Sequence, residues 1–530
     1  VNAFLAGASA AGGGFGGTGT TQGIAGAISV RPNLIVVDGG QQLDLGIRTG
    51  QTGAGDAARE VVPAALTVEA GGAATVINSE LFGRSAAVGV RAGGTLMLPA
   101  GVTQTLDRVD GDGGVIDLAP TAKLTLGTGD VSSVLAASVT GTGTLVKTGT
   151  GRLALGASPG SAVLLQIDAG SVAQQAPFAS VGKLINGSGG ALRVGGGQGF
   201  WVGTSGGSAN AGSIELTGNA GAVGGASEIE FVGKLVNAAS TGLISARGPV
   251  VMRFTGGLTN DGAMGIAFAD ASVSGDVVNS TTGSIVVSGG SRALFDGDVV
   301  NDGAFSVGSG STVVFFGAFS GKKGTTGTGS VEMYGDLRPG HSPAAIAFGG
   351  NVTLGRGATL NIELGGSAPG SGYDKVSVAG ALAVEGALNV SLIDGFSPRA
   401  GDAFDVLDFA SLGGTFGSVS LPGGLAPGLR WVSDALHTSG TLYATYPGDA
   451  NVDGRVTGAD LALMTPAGDT WFKGDFNGDG SVNADDYALL YYGAAMQEQS
   501  GGPMTPEPSV GVVAPVVLVM LRAGRRRRRG

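Results

Sequence analysis

The chain has 530 residues, 104 of them glycine; 42% are hydrophobic, and the formal net charge is −11. Glycine this frequent is costly in helix interiors, the strict Gly-X-Y period of collagen is absent, and the apolar content is too high for a disordered chain. The acidic balance argues against nucleic acid as a partner, and the absence of cysteine excludes disulfides, Cys-ligated zinc and thiol catalysis. Many short runs of Val, Leu, Ile and Thr, parted by Gly, Ser, Asn and Asp, predict a mainly β protein with many turns.

At the start, no basic segment precedes the small-residue stretch 4–14, so an export signal is expected upstream of Val1 or already removed. Asp107, Asp110 and Asp112 form a local acid cluster. It reads as a polar turn or stray calcium site rather than a catalytic group. Next comes Gly141-Thr-Gly-Thr-Leu-Val-Lys-Thr-Gly-Thr-Gly-Arg-Leu-Ala-Leu-Gly156. This run resembles one autotransporter-associated β-strand repeat, whose core reads G-x-L-x-K-x-G-x-G-x-L-x-L. The resemblance implies a β-helical stalk displayed on a bacterial surface.

A second pattern, Gly, any residue, an aliphatic, any residue, Asn, recurs with its Asn at 186, 237, 260, 279 and 301. The last four are 23, 19 and 22 residues apart. Periods in this range indicate stacked coils. A right-handed parallel β-helix over 1–334 fits: inward aliphatics fill the core, and Asn side chains hydrogen-bond from coil to coil. No coil buries its own core, so stability comes from neighbours.

Residues 335–446 change character, with Gly335-Asp-Leu-Arg-Pro-Gly-His-Ser-Pro343 and Gly372-Tyr-Asp-Lys-Val-Ser-Val-Ala-Gly380. They resemble the cap region of surface β-helices in planctomycete-type bacteria. Strands at 382–392 and 404–409 are expected to fold back over the last coils, because a terminal coil otherwise presents bare edges.

The strongest chemical pattern lies at 449–486. One loop offers Asp449, Asn451, Asp453, the carbonyl of Arg455, Thr457 and Asp460. The other offers Asp475, Asn477, Asp479, the carbonyl of Ser481, Asn483 and Asp486. Both read D-x-N-x-D-G with an acid at position 12, the spacing that gathers hard oxygens for calcium. Val456 and Val482, at position 8, are expected to face a small core. Helices are expected at 459–464 and 484–491. With Thr457 at position 9, the first site is expected to be weaker than the second, which has Asn483 there. Two loop–helix units starting 26 residues apart, with no entering helix, resemble a type I dockerin over 447–495. The resemblance implies a small α module that folds on calcium and docks onto a cohesin-like scaffold. Positions 10 and 11, which usually steer that docking, are Gly458/Ala459 and Ala484/Asp485; the two halves differ there.

In the segment 496–530, a linker leads to Thr505-Pro506-Glu507-Pro508, the apolar run 510–521 and five arginines at 525–529. This order resembles a PEP-CTERM sorting signal. It implies that an exosortase-type peptidase cuts near Pro506, Glu507 and Pro508 and delivers the protein to the cell surface or extracellular matrix. The arginines stay cytoplasmic under the positive-inside rule. The apolar run is short of the ~20 residues of a spanning helix, so the expected membrane contact is transient.

His341 and His437, the chain's two histidines, have no evident triad partner, and no Walker-type lysine follows a glycine run. The expectation is a non-enzymatic surface protein, structural or adhesive. The alternatives are a carbohydrate-active enzyme, or a passive glycan-binding module with a surface polysaccharide as ligand.

Overall fold

The computed structural model describes residues 28–31, 34–38, 42–45, 65–203, 206–219 and 225–499. The chain forms a parallel β-solenoid of about 14 turns, and it divides into two compact units between Val313 and Val314.

In the first unit, most strands are short and alternate inward and outward side chains, as in Ser227–Phe231 and Val250–Phe254, while Leu164–Gln174 and Lys183–Gly195 are longer. From residue 178 onward the strands stack in three parallel rows. One row runs through Ser208–Asn210, Leu235–Asn237, Leu258–Asn260, Val277–Asn279 and Val299–Asn301. The second runs through Ser213–Thr217, Leu243–Arg247, Ala263–Ala267, Ser284–Ser288 and Ala304–Val307. The third runs through Gly199–Val202, Ser227–Phe231, Val250–Phe254, Asp270–Ser274 and Arg292–Phe295. Inside, Ile244, Ala246, Val250, Met252 and Phe254 are all but inaccessible to solvent. Burying each large aliphatic or aromatic contributes about 1.5–3 kcal/mol. Phe231 lies stacked on Phe254 at 6.0 Å between centroids.

The asparagines form the ladder that the repeat predicts. Each side-chain amide donates to the Oδ1 of the next coil's asparagine: 186 to 210, 210 to 237, 237 to 260, 260 to 279 and 279 to 301, at 2.7 to 2.8 Å. Each amide also donates to a backbone carbonyl, those of Ser213, Leu243, Ala263, Ser284 and Ala304. Asn210 is a rung that the sequence pattern passes over, because Ser208 stands where the aliphatic is expected. At the first rung, Ile167 is the residue in register beneath Asn186, and the buried Asn186 Oδ1 has no hydrogen-bond partner among the described residues.

The autotransporter-like stretch makes the strands Ser138–Gly141, Thr144–Lys147 and Arg152–Leu155, each paired in parallel with its neighbours. Its lysine turns inward. Lys147 is buried, and its ammonium group donates to the carbonyls of Thr148, of Gly149 at 2.8 Å and of Ala169 at 3.4 Å. Desolvation by burial lowers its pKa, with Asp130 acting the other way.

In the second unit, parallel pairing runs on through the segment expected to fold back as a cap. Lys375–Val384 stacks between Val352–Leu354 and Leu407–Gly414. Ala387–Leu392 stacks between Thr359–Leu364 and Ser418–Ser420. So 382–392 forms coils, and only part of 404–409 leaves the stack. Asp402–Asp405, Thr441–Thr445 and Arg430–Val432 make a three-stranded antiparallel sheet. The turn at Pro339–Pro343 is tied down by Asp374, which is 1% exposed. Its carboxylate accepts from the amides of Ala344 at 2.6 Å and Glu363 at 2.9 Å. Two α-helices follow the sheet: α1, Gly458–Leu463, and α2, Ala484–Gln499. α2 runs eight residues beyond its expected end, and a single 3-10 turn, Trp471–Lys473, lies between the helices.

Candidate metal centre

The two acidic loops share one core of hydrogen bonds. At position 1, Asp449 and Asp475 accept from the amide of position 5, at 3.2 and 3.1 Å, and from that of position 6, at 2.8 Å in both. At position 3, Asn451 and Asn477 accept from the position 5 amide and donate 3.0 Å bonds to the carboxylate of Asp453 or Asp479. Those two carboxylates accept in turn from the amides of Arg455 and Ser481. At position 12, Asp460 and Asp486 reach back to the amides of positions 2 and 3 with one oxygen and to that of position 9 with the other. Burial repeats as well: positions 1 and 12 are buried, while 3, 5 and 7 are exposed. Gly454 and Gly480 turn the chain at φ of 87° and 83°, a conformation open to glycine at little cost.

Local chemistry sets these shapes. Thr457 caps α1 in a reciprocal capping box with Asp460, so position 12 serves the loop and the helix start together. The Asn483 side chain accepts from the amide of Asp485 at the start of α2. Val456 is buried and Val482 packs partly buried against the same apolar cluster, as their position predicts.

Burial pushes the Asp449 carboxyl up to about 6, opposed by hydrogen bonds from Thr445 and the Gly454 amide and reinforced by Asp460 and Asp453. In the exposed arm of the second loop, the Ser481 hydroxyl holds Asp479 below the usual carboxylate range. Among the described residues, no three His, Cys, Asp or Glu side chains gather into a group able to hold a metal by themselves. The donor set of each loop is mixed: three carboxylates, an asparagine amide oxygen, a backbone carbonyl and a Thr or Asn side chain. These are all hard oxygens, the chemistry that suits calcium and not a soft metal.

Several groups around the loops carried no sequence signal. The Thr445 hydroxyl donates to Asp449. Trp471 donates its indole N–H to the Asp449 carbonyl at 2.7 Å and its backbone N–H to Asp434 at 2.8 Å. The Gln497 side chain accepts from the Val456 amide at 2.6 Å. Each lies outside the loop motif and is brought to it by the fold.

The other candidates disperse. Asp107 accepts from the Thr128 hydroxyl, Asp110 pairs with Arg108, and Asp112 lies 3.9 Å from Arg91. His341 is exposed in its turn. His437 ends a short 3-10 turn with its ring 5.9 Å from that of Phe416. An open groove of about 470 Å³ is lined by Thr150, Ser171, Ser213 and Thr241, with Arg193 and Glu215 paired at 2.9 Å. The sorting residues Pro506, Glu507 and Pro508 lie outside the described residues. No helix among the described residues is long and apolar enough to cross a membrane. No protein-family model matches the chain, and no curated protein matches it.

Proposed function

We propose that this is an exported surface protein of structural or adhesive type. Its right-handed parallel coils carry a calcium-binding, dockerin-like end module, and its Pro506–Glu507–Pro508 tail is read by an exosortase-type peptidase. The observation that carries the reading is the duplication of one hydrogen-bond pattern in two loops that share few residues outside the ligand positions. A pattern held in both copies while the intervening residues differ is what a common ligand demands. Asp449, Asn451, Asp453, Thr457 and Asp460 would hold one calcium ion with the Arg455 carbonyl. Asp475, Asn477, Asp479, Asn483 and Asp486 would hold the other with the Ser481 carbonyl. Bound calcium supplies the positive charge that offsets the repulsion among three carboxylates.

A carbohydrate-active role needs an acid and a base free to face a sugar. In the polar groove Arg193 and Glu215 engage each other, which favours the non-catalytic reading. The test is calorimetric titration of the whole chain with calcium. Two binding events are expected, with the Asp479→Ala variant losing one and the Asp453→Ala, Asp479→Ala double variant losing both. Absence of binding at millimolar calcium would remove the module from the proposal.

A further inference from the structure

The dockerin-like segment shares its core with the chain before it. Val456, Met464, Trp471, Phe476, Leu490 and Ala494 share one buried cluster with Val432 of the antiparallel sheet and Tyr446 just beyond it. Leu429, Tyr443 and Ala400, all upstream of the loops, pack against that cluster. The Tyr443 and Phe472 rings meet edge to face at 6.2 Å. Backbones touch as well: a Cβ on Gly454 would lie 2.7 Å from the Ala400 carbonyl oxygen. The first loop therefore rests on the turn that opens the sheet at Asp402. Its position 1 carboxylate is bonded to Thr445, the last residue of the sheet's central strand. The linker between the loops is bonded to Asp434.

From this we infer that the partner of the calcium module is the chain's own antiparallel end sheet, and that calcium in the first loop locks that sheet in place. The inference rests on the reading that the loops bind calcium. The physical link is direct. Asp449 is pinned on one side by Thr445 and on the other by the loop amides, so ordering the loop orders the end of the strand. Burial of Val432 and Tyr446 requires α2 and Trp471 to be seated. The face that a separate dockerin would keep for its own core is committed within the chain, and the sheet lies inside the cooperative unit that calcium stabilises.

Hydrogen exchange of the whole chain, with calcium chloride or with a chelator, reads the lock peptide by peptide, beside a direct calcium titration. With calcium at about 100 times its dissociation constant, exchange should slow by up to about 100-fold in 402–405 and 430–445 as well as in 449–495. The coils at 235–301 should be unchanged. Thr445→Val removes the hydroxyl without changing side-chain volume. It should still bind calcium but lose much of the protection in 430–445. Protection confined to 449–495, with calcium bound, overturns the lock and leaves the calcium reading standing. An unchanged response in Thr445→Val overturns the route through Asp449. A chain that binds no calcium overturns both.

Discussion

Asp374 and Lys147 are charged groups that the fold buries for different reasons. Lys147 satisfies three carbonyls where a coil turns, while Asp374 ties the 339–343 turn to the strand Thr359–Leu364 through two amides. Desolvation is the larger influence on Asp374 and raises its pKa to about 6, against two amide hydrogen bonds, with the Glu363 carboxylate adding to the rise. Because the folded value lies above the unfolded one, the stability that this group contributes is complete below about 3.9. It is lost as pH rises through about 6. Between pH 4 and pH 7 the Asp374 contribution should fall by about 2 kcal/mol, and Asp374→Asn should lack that part of the slope. Denaturant melts at a series of pH values in saturating calcium would measure it; parallel slopes in the two proteins would refute the assignment. At the ladder, Asn260→Ala leaves the Asn279 Oδ1 and one Asn237 amide hydrogen without their partners. A loss of about 2–4 kcal/mol is expected from the same melts.

At the scale of the element, the asparagine and glycine columns are one device. A Cβ on Gly283 would sit 2.1 Å from the Asn260 carbonyl oxygen and 2.4 Å from Asn279 Oδ1. Gly283→Ala should therefore cost more than about 2 kcal/mol. Gly265, in a neighbouring strand, has open space around its Cβ direction, so Gly265→Ala should be neutral or slightly stabilising. Thermal unfolding of the pair checks the contrast. The ladder was legible because Asn and its flanking aliphatics keep a period-two pattern through Leu235–Asn237, Leu258–Asn260, Val277–Asn279 and Val299–Asn301. Asn210 was not, since a buried serine fills the aliphatic position and its hydroxyl accepts from the Leu184 amide. The turns of the two acidic loops and the helices that follow them were legible, because such turns rest on residues at fixed local spacing. Thr445, Trp471 and Asp434 were not, since their meeting depends on how a sheet and a helix pack.

At the scale of the whole chain, the fold class was readable from composition and repeat, and the extent of the coils was not. The segment after residue 335 changes its sequence character while keeping parallel pairing to Ser420. Its longer strand Lys375–Val384 carries the same inward alternation without the asparagine that marked the earlier coils, while Leu407–Gly414 buries only Leu407. What departs from the stack is a small antiparallel sheet, and it departs in order to meet the helices. The calcium titration and the exchange experiment both address this end of the chain. Both need the whole protein, since a fragment cut before residue 445 would lack Val432, Leu429 and Ala400 and so part of its core.

The asparagine ladder holds constant bond lengths across coils of 24, 27, 23, 19 and 22 residues. Its amides all point toward the later coil. The interior thus counts rungs and is indifferent to how much loop is spent between them. A gene encoding such a chain can gain or lose whole coils, or lengthen any corner, and the rungs on either side will still fit. Reach and surface decoration are then free to vary under selection while the cross-section is inherited unchanged.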